Sequence, residues 1–158
     1  MSERQTLIEK LDSALDGFEQ KVGLPDYEPD NEVHRYLNMK RNELEKLTPD
    51  ECGEAAFLLR KFAFHLQRAY GRETARVKFL DRQIRKTVAS EVSQYRAPSA
   101  DERRDLAIKG NEHARELARH RDFHEAKMDR LAFLSNCVGQ MAGSLDELQA
   151  TKRRQRSS

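Results

Sequence analysis

Glu116, His120 and His124 follow one another at intervals of four residues, which stacks two imidazoles and a carboxylate on one face of a helix where they could meet a metal ion. The same two histidines, together with His113, also follow a seam of apolar residues at alternating steps of three and four. In that seam they form a polar layer of a helical interface, and their protonation would tie assembly to mildly acidic pH. The seam reading is preferred, so no metal and no cofactor are expected. No other group of residues has catalytic spacing. The chain lacks a glycine-rich phosphate loop, a nucleophile elbow and acids clustered on strands, and it is expected not to be an enzyme.

The second chemistry is electrostatic. Residues 60–86 carry nine Lys or Arg (Arg60, Lys61, Arg68, Arg72, Arg76, Lys78, Arg82, Arg85 and Lys86) against two acids, Glu73 and Asp81, a local charge of +7 in a chain of net +2. At about 100° per residue all nine fall on one side of a helix, with Leu59, Phe62, Leu66, Val77, Leu80, Ile84 and Val88 on the other. Phe57, Phe64 and Phe79 project from the basic side, where a simple amphipathic core does not explain them. Cations interleaved with rings suit single-stranded nucleic acid, because phosphates release counterions to Lys and Arg while any exposed base stacks on a ring. A helix touched by protein on two faces would carry the same phenylalanines. On the first reading Lys61, Arg68, Arg72, Arg76, Lys78, Arg82, Arg85 and Lys86 contact phosphate, and Phe57, Phe64 and Phe79 are stacking platforms. Changing Arg68, Arg72 and Arg76 together to Ala should then flatten the salt dependence of binding by about two to three units.

The elements that must hold this face are helices. Charged residues make up 35% of the 158, with 7 Gly, 4 Pro and no Trp, a composition poor in strand formers and turn punctuation. No stretch approaches the roughly 20 apolar residues that span a bilayer, so a cytoplasmic protein is expected, in the host cytoplasm if phage-encoded. A basic amphipathic helix lying on an anionic membrane is the alternative, and it needs an opposite face free of partners. Cys52 and Cys137 lack metal or redox spacing and read as reduced packing residues.

Residues 1–20 read as an acidic amphipathic helix and residues 21–31, with Gly23, Pro25 and Pro29, as a linker. Up to Thr48 the chain has seven Lys or Arg against eleven Asp or Glu, and this acidic region could shield or compete for the basic face. A helical domain is expected over residues 32–150. Within it a helix covers residues 31–46, and Thr48-Pro49-Asp50-Glu51 then caps a helix of about 45 residues, with Gly71 as the likeliest bend. A second capping box at Ser99-Ala100-Asp101-Glu102 opens another long helix, whose seam runs from Leu106 to Leu148. The fold is therefore expected to be all-α, a long antiparallel helical hairpin with shorter N-terminal helices, assembling through coiled-coil-like seams. Leu131, Leu134, Val138, Met141 and Leu145 are the candidate oligomer interface. Residues 151–158 read as a disordered basic tail, in which Lys152, Arg153, Arg154 and Arg156 add affinity for phosphate or simply stay solvated.

The segment VHRYLNMKRNELEKL, the basic block HLQRAYGRETARVKFL with its Tyr70-Gly71-Arg72 step, and LDELQ near the end give residues 33–150 a layout that resembles the UvsY-type recombination mediators of tailed phages. The resemblance implies a helical homo-oligomer that binds single-stranded DNA and helps a RecA-like recombinase replace the single-strand-binding protein, in DNA recombination and repair. It implies no catalysis. Two other readings stay open: a helical scaffold whose charge is a solvated face, and a small regulator that binds another protein through the hairpin.

Overall fold

The computed structural model describes residues 3–24, 27 and 31–156, with side chains from residue 7 onward. The order is α1 (Glu3–Lys21), α2 (Asn31–Asn38), α3 (Arg41–Leu44), α4 (Pro49–Val88), a 3-10 turn (Val92–Gln94), α5 (Ala100–Gly110) and α6 (Glu112–Arg156). The fold is all-α, with no strand among the described residues, and α4 packs against α6 as a helical hairpin. Among the described residues no helix is long and apolar enough to cross a membrane.

Local chemistry sets the breaks. At the start of α4 the Thr48 hydroxyl accepts from the Glu51 N–H (3.3 Å), and the Glu51 carboxylate accepts from the Thr48 N–H (2.7 Å). This reciprocal cap satisfies two groups that the helix leaves unpaired, and it holds the Glu51 carboxyl below its ordinary pKa. From Pro49 the helix runs uninterrupted through Gly71 to Val88. The single helix expected over residues 31–46 is instead two. Asn38 ends α2 by donating to the His34 carbonyl (2.7 Å), and α3 opens with the Glu43 carboxylate accepting from the Lys40 N–H (2.7 Å).

The helix opening at Ser99, which accepts from the Glu102 N–H (3.1 Å), also stops early. Asn111 is extended, its side-chain oxygen accepts from the Ala114 N–H (3.0 Å), and its amide donates to Glu91 (2.8 Å). It thus closes α5 and caps α6. At the far end α6 continues through Arg156, where a disordered tail was expected. Lys152 explains part of that order, because its ammonium donates to the Glu45 carbonyl (2.6 Å) and to the Leu47 carbonyl.

The chain forms two compact units. Unit 1 is Met1–Val22 with Tyr70–Asp129, and unit 2 is Gly23–Ala69 with Arg130–Ser158. In unit 2 the core joins Val33 and Tyr36 of α2 to Leu47, Cys52, Ala55, Ala56, Leu59 and Leu66, and to Val138, Ala142 and Leu145 of α6. The three alanines let the helices approach closely, and full burial raises the Cys52 thiol pKa. Cys137, in contrast, is exposed and packs no core. Chain direction reverses between partners: Arg60 pairs with Asp146, and further along α4 the Ala63 carbonyl accepts from the earlier Ser135 hydroxyl (3.2 Å). In unit 1 the α4 residues Leu80 and Ile84 pack with Leu117, and Val88 packs with Ala107 and Ala114.

The expected seam falls on α5 and α6: it is buried at Leu117, His124, Val138 and Leu145 of α6, whereas Leu106 of α5 and His113, His120 and Leu134 of α6 are exposed. Val138 and Leu145 belong to the chain's own core, and Leu131 and Met141 pack on it. Polar replacements at these four positions should therefore unfold the hairpin itself, because they fall in or against its core. Of the five candidate interface residues, Leu134 alone faces outward.

In unit 2 the His65 ring stacks on Tyr27, with centroids 4.2 Å apart and planes at 18°, and its Nδ1 is buried without a hydrogen-bond partner. Burial, helped by Arg68, holds its pKa below the ordinary 6.5. The folded state therefore refuses a proton that the unfolded chain accepts. Stability linked to His65 is complete above the unfolded pKa and is lost as pH falls toward the folded one. His65→Phe keeps a ring and removes the titration. Thermal melts at about pH 7.5 and about pH 5 should show a smaller acid-induced drop in Tm for the variant than for the wild type. Equal drops would mean that His65 stays solvated.

Candidate nucleic-acid interface

The basic face is divided by what lies over its edge. At about 100° per residue Arg72, Arg76 and Phe79 sit at one margin of the cationic arc, and in unit 1 the structure places α1 along that margin. Arg72 makes a bidentate pair with Glu19 (3.0 and 2.6 Å) and a further bond to Asp16. Arg76 makes another with Asp12 (2.9 and 2.8 Å). These acids recur at steps of four and three, so one face of α1 meets two arginines a helical turn apart on α4, with the helices antiparallel. The carboxylates raise both guanidinium pKa values. Arg72 and Arg76 are therefore occupied in this fold, contrary to their assignment as open phosphate contacts.

Phe79 is also not an exposed platform. It packs with Leu80 and lines a cavity of about 560 Å³ whose apolar walls include Leu7, Ile8 and Leu117. His113, Glu116 and His120 stand at the same cavity. His124 turns instead into the hairpin, 8% exposed, with Nδ1 2.6 Å from a Glu73 carboxylate oxygen. The other Glu73 oxygen accepts from Arg76 (2.6 Å), so a chain of contacts runs from buried His124 and Glu73 through Arg76 to half-buried Asp12. Among the described residues no group of three or more His, Cys, Asp or Glu is arranged to hold a metal.

No family model, curated protein or solved structure matches the chain. The surface of α4 itself is distinctive. In unit 2 Phe57 and Phe64 are 66% and 57% exposed and flank exposed Lys61, with Arg60 drawn to Asp146 and Arg68 half-buried and partnered. In unit 1 Lys78, Arg82, Arg85 and Lys86 are exposed at helical spacing. Asp81, the acid among them, is engaged by Arg121 at 3.5 Å. Arg85 borders a small mixed-sign cleft with Asp101, Arg104 and Asp105.

The C-terminal cations differ from one another. Lys152 is committed to the Glu45 and Leu47 carbonyls, and Arg153 lies 3.5 Å from Asp50. Arg154 and Arg156 are on the exposed last turns of α6.

The residues that the sequence reading passed over are Asp12, Asp16 and Glu19 as individual partners, and Glu73 as a buried hub. Their signal was present: the spacing of the α1 acids matches the step from Arg72 to Arg76, and Glu73 is one of only two acids inside the basic run.

Proposed function

We propose that this protein is a non-enzymatic single-stranded-DNA-binding recombination mediator that assists loading of a RecA-like recombinase. The observation that carries the binding part is the run of exposed cations on α4, Lys78, Arg82, Arg85 and Lys86, on a helix whose unit 2 portion exposes Phe57, Lys61 and Phe64. Cations supply phosphate affinity with counterion release, and rings supply stacking that tolerates any base. The resemblance to UvsY-type mediators supports the remainder: homo-oligomerisation, a recombinase partner, competition with the single-strand-binding protein, and a cytoplasmic setting. Mediation on this account is mechanical, with repeated basic faces holding the strand in a shape that the binding protein grips less well.

A protein-binding scaffold or regulator is favoured by a different observation, the exposed Phe133 and Leu134 of α6 in unit 2. Fluorescence anisotropy with a labelled single-stranded oligonucleotide and its duplex, titrated across salt concentrations, separates the two. Tight, salt-steep binding that prefers the single strand is the expected result. Absence of binding at low salt would overturn the mediator reading in favour of the scaffold.

A further inference from the structure

We infer that α1 is a displaceable acidic strap, which covers a second phosphate-binding pair, Arg72 and Arg76, and yields it to the backbone of a bound single strand. This inference rests on the nucleic-acid-binding reading above. Its physical basis is the unusual way in which α1 is held. Leu11 and Leu15 are only half-buried, and Leu7, Phe18 and Val22 are exposed, at 41%, 62% and 54%. Among the described side chains of α1, Ile8 alone joins an apolar cluster of the unit. What fixes the helix is the row of carboxylates Asp12, Asp16 and Glu19 on the two guanidinium groups.

Such a contact is interchangeable with a phosphate contact. A carboxylate and a phosphodiester each offer two oxygens to the same planar fork of donors, and a guanidinium exchanges one for the other without losing hydrogen bonds. Repacking an apolar helix face would have no comparable substitute. A strand arriving on Lys78, Arg82, Arg85 and Lys86 brings a high local concentration of phosphate to the neighbouring turns of α4, where Arg76 and Arg72 lie. The strap thus sets a threshold: short or sparse anions leave it closed, and a continuous backbone opens it.

The test uses the full chain. In D12N/D16N/E19Q the strap loses its charge, and anisotropy with a labelled oligothymidylate should show affinity about tenfold higher than wild type, with a salt slope steeper by about 1.4, the share of two added phosphates. Adding R72Q/R76Q to that variant should remove the gain, which separates uncovering of the pair from a general loss of negative charge. Hydrogen exchange on the wild-type protein supplies a measurement that needs no variant: α1 amides should lose protection when saturating oligonucleotide is added. Unchanged α1 protection at saturation, or a gain that survives R72Q/R76Q, would overturn the strap and leave the binding reading intact. If neither wild type nor the neutralised variant binds, the binding reading fails and the strap fails with it.

Discussion

Glu73→Ala is expected to cost about 3–5 kcal/mol of stability, the scale for removing one partner of a buried ionic group. The Glu73 side chain is 8% exposed, and each of its oxygens is used, one by His124 at 2.6 Å and one by Arg76 at 2.6 Å. Alanine leaves an imidazole N–H and a guanidinium N–H facing a low-dielectric gap with no acceptor, at a site where His124 is buried and Arg76 mostly so. Two comparisons identify the cause. Glu73→Gln retains one acceptor and should lose less, about 1–3 kcal/mol. Glu73→Leu combined with His124→Leu replaces the pair by apolar volume, leaves Arg76 on Asp12, and should recover much of the deficit. Urea denaturation followed by helical circular dichroism reads all three. A loss below about 1 kcal/mol for the alanine variant would mean that water fills the gap and that the network contributes little.

Glu73 also shows where sequence reading stops. Periodicity identifies the residues that share a face of α4, and the cap at Thr48-Pro49-Asp50-Glu51 marks where that helix begins; both are local properties, and the structure has both. The hairpin and most of its buried seam were legible for the same reason. Periodicity is silent on what covers the margin of a face. Arg72, Arg76 and Phe79 had the same credentials as Lys78 and Arg82 until α1 was placed beside them.

The missed breaks are of a related kind. Asn111 interrupts the second long helix without a proline, through a side chain that caps α6 and reaches back to Glu91. The C-terminal cations read as solvated by composition, yet Lys152 finds carbonyls at Glu45 and Leu47, far off in the sequence. The cap of Asn111 on Ala114 is local and was available to a capping rule, whereas Glu91 and the carbonyls that hold Lys152 are distant along the chain, where no local rule reaches them.

Those corrections move the expected binding energy onto the residues left open, so changing Lys78, Arg82, Arg85 and Lys86 together to Ala should have the largest effect on function. With about 0.7 unit of salt slope per phosphate on a single strand, loss of all four contacts should flatten the slope by about 3 and lower affinity roughly a hundredfold at moderate salt. The helix should survive, because these side chains are exposed and alanine is the best helix former. Arg68, Arg72 and Arg76, the triple change that the sequence alone recommends, should do less to binding and more to stability. Two of the three already hold α1, and Arg68 is half-buried. Phe57→Ala with Phe64→Ala isolates the other half of the recognition chemistry. Stacking is worth about 1–3 kcal/mol per base and releases no counterions, so affinity should fall with the salt slope unchanged. Anisotropy titrations of the two variants across the same salt series therefore distinguish cation from ring. A quadruple variant with the wild-type slope would remove α4 as the phosphate track, and a ring variant with full affinity would leave Phe57 and Phe64 as a protein-facing patch.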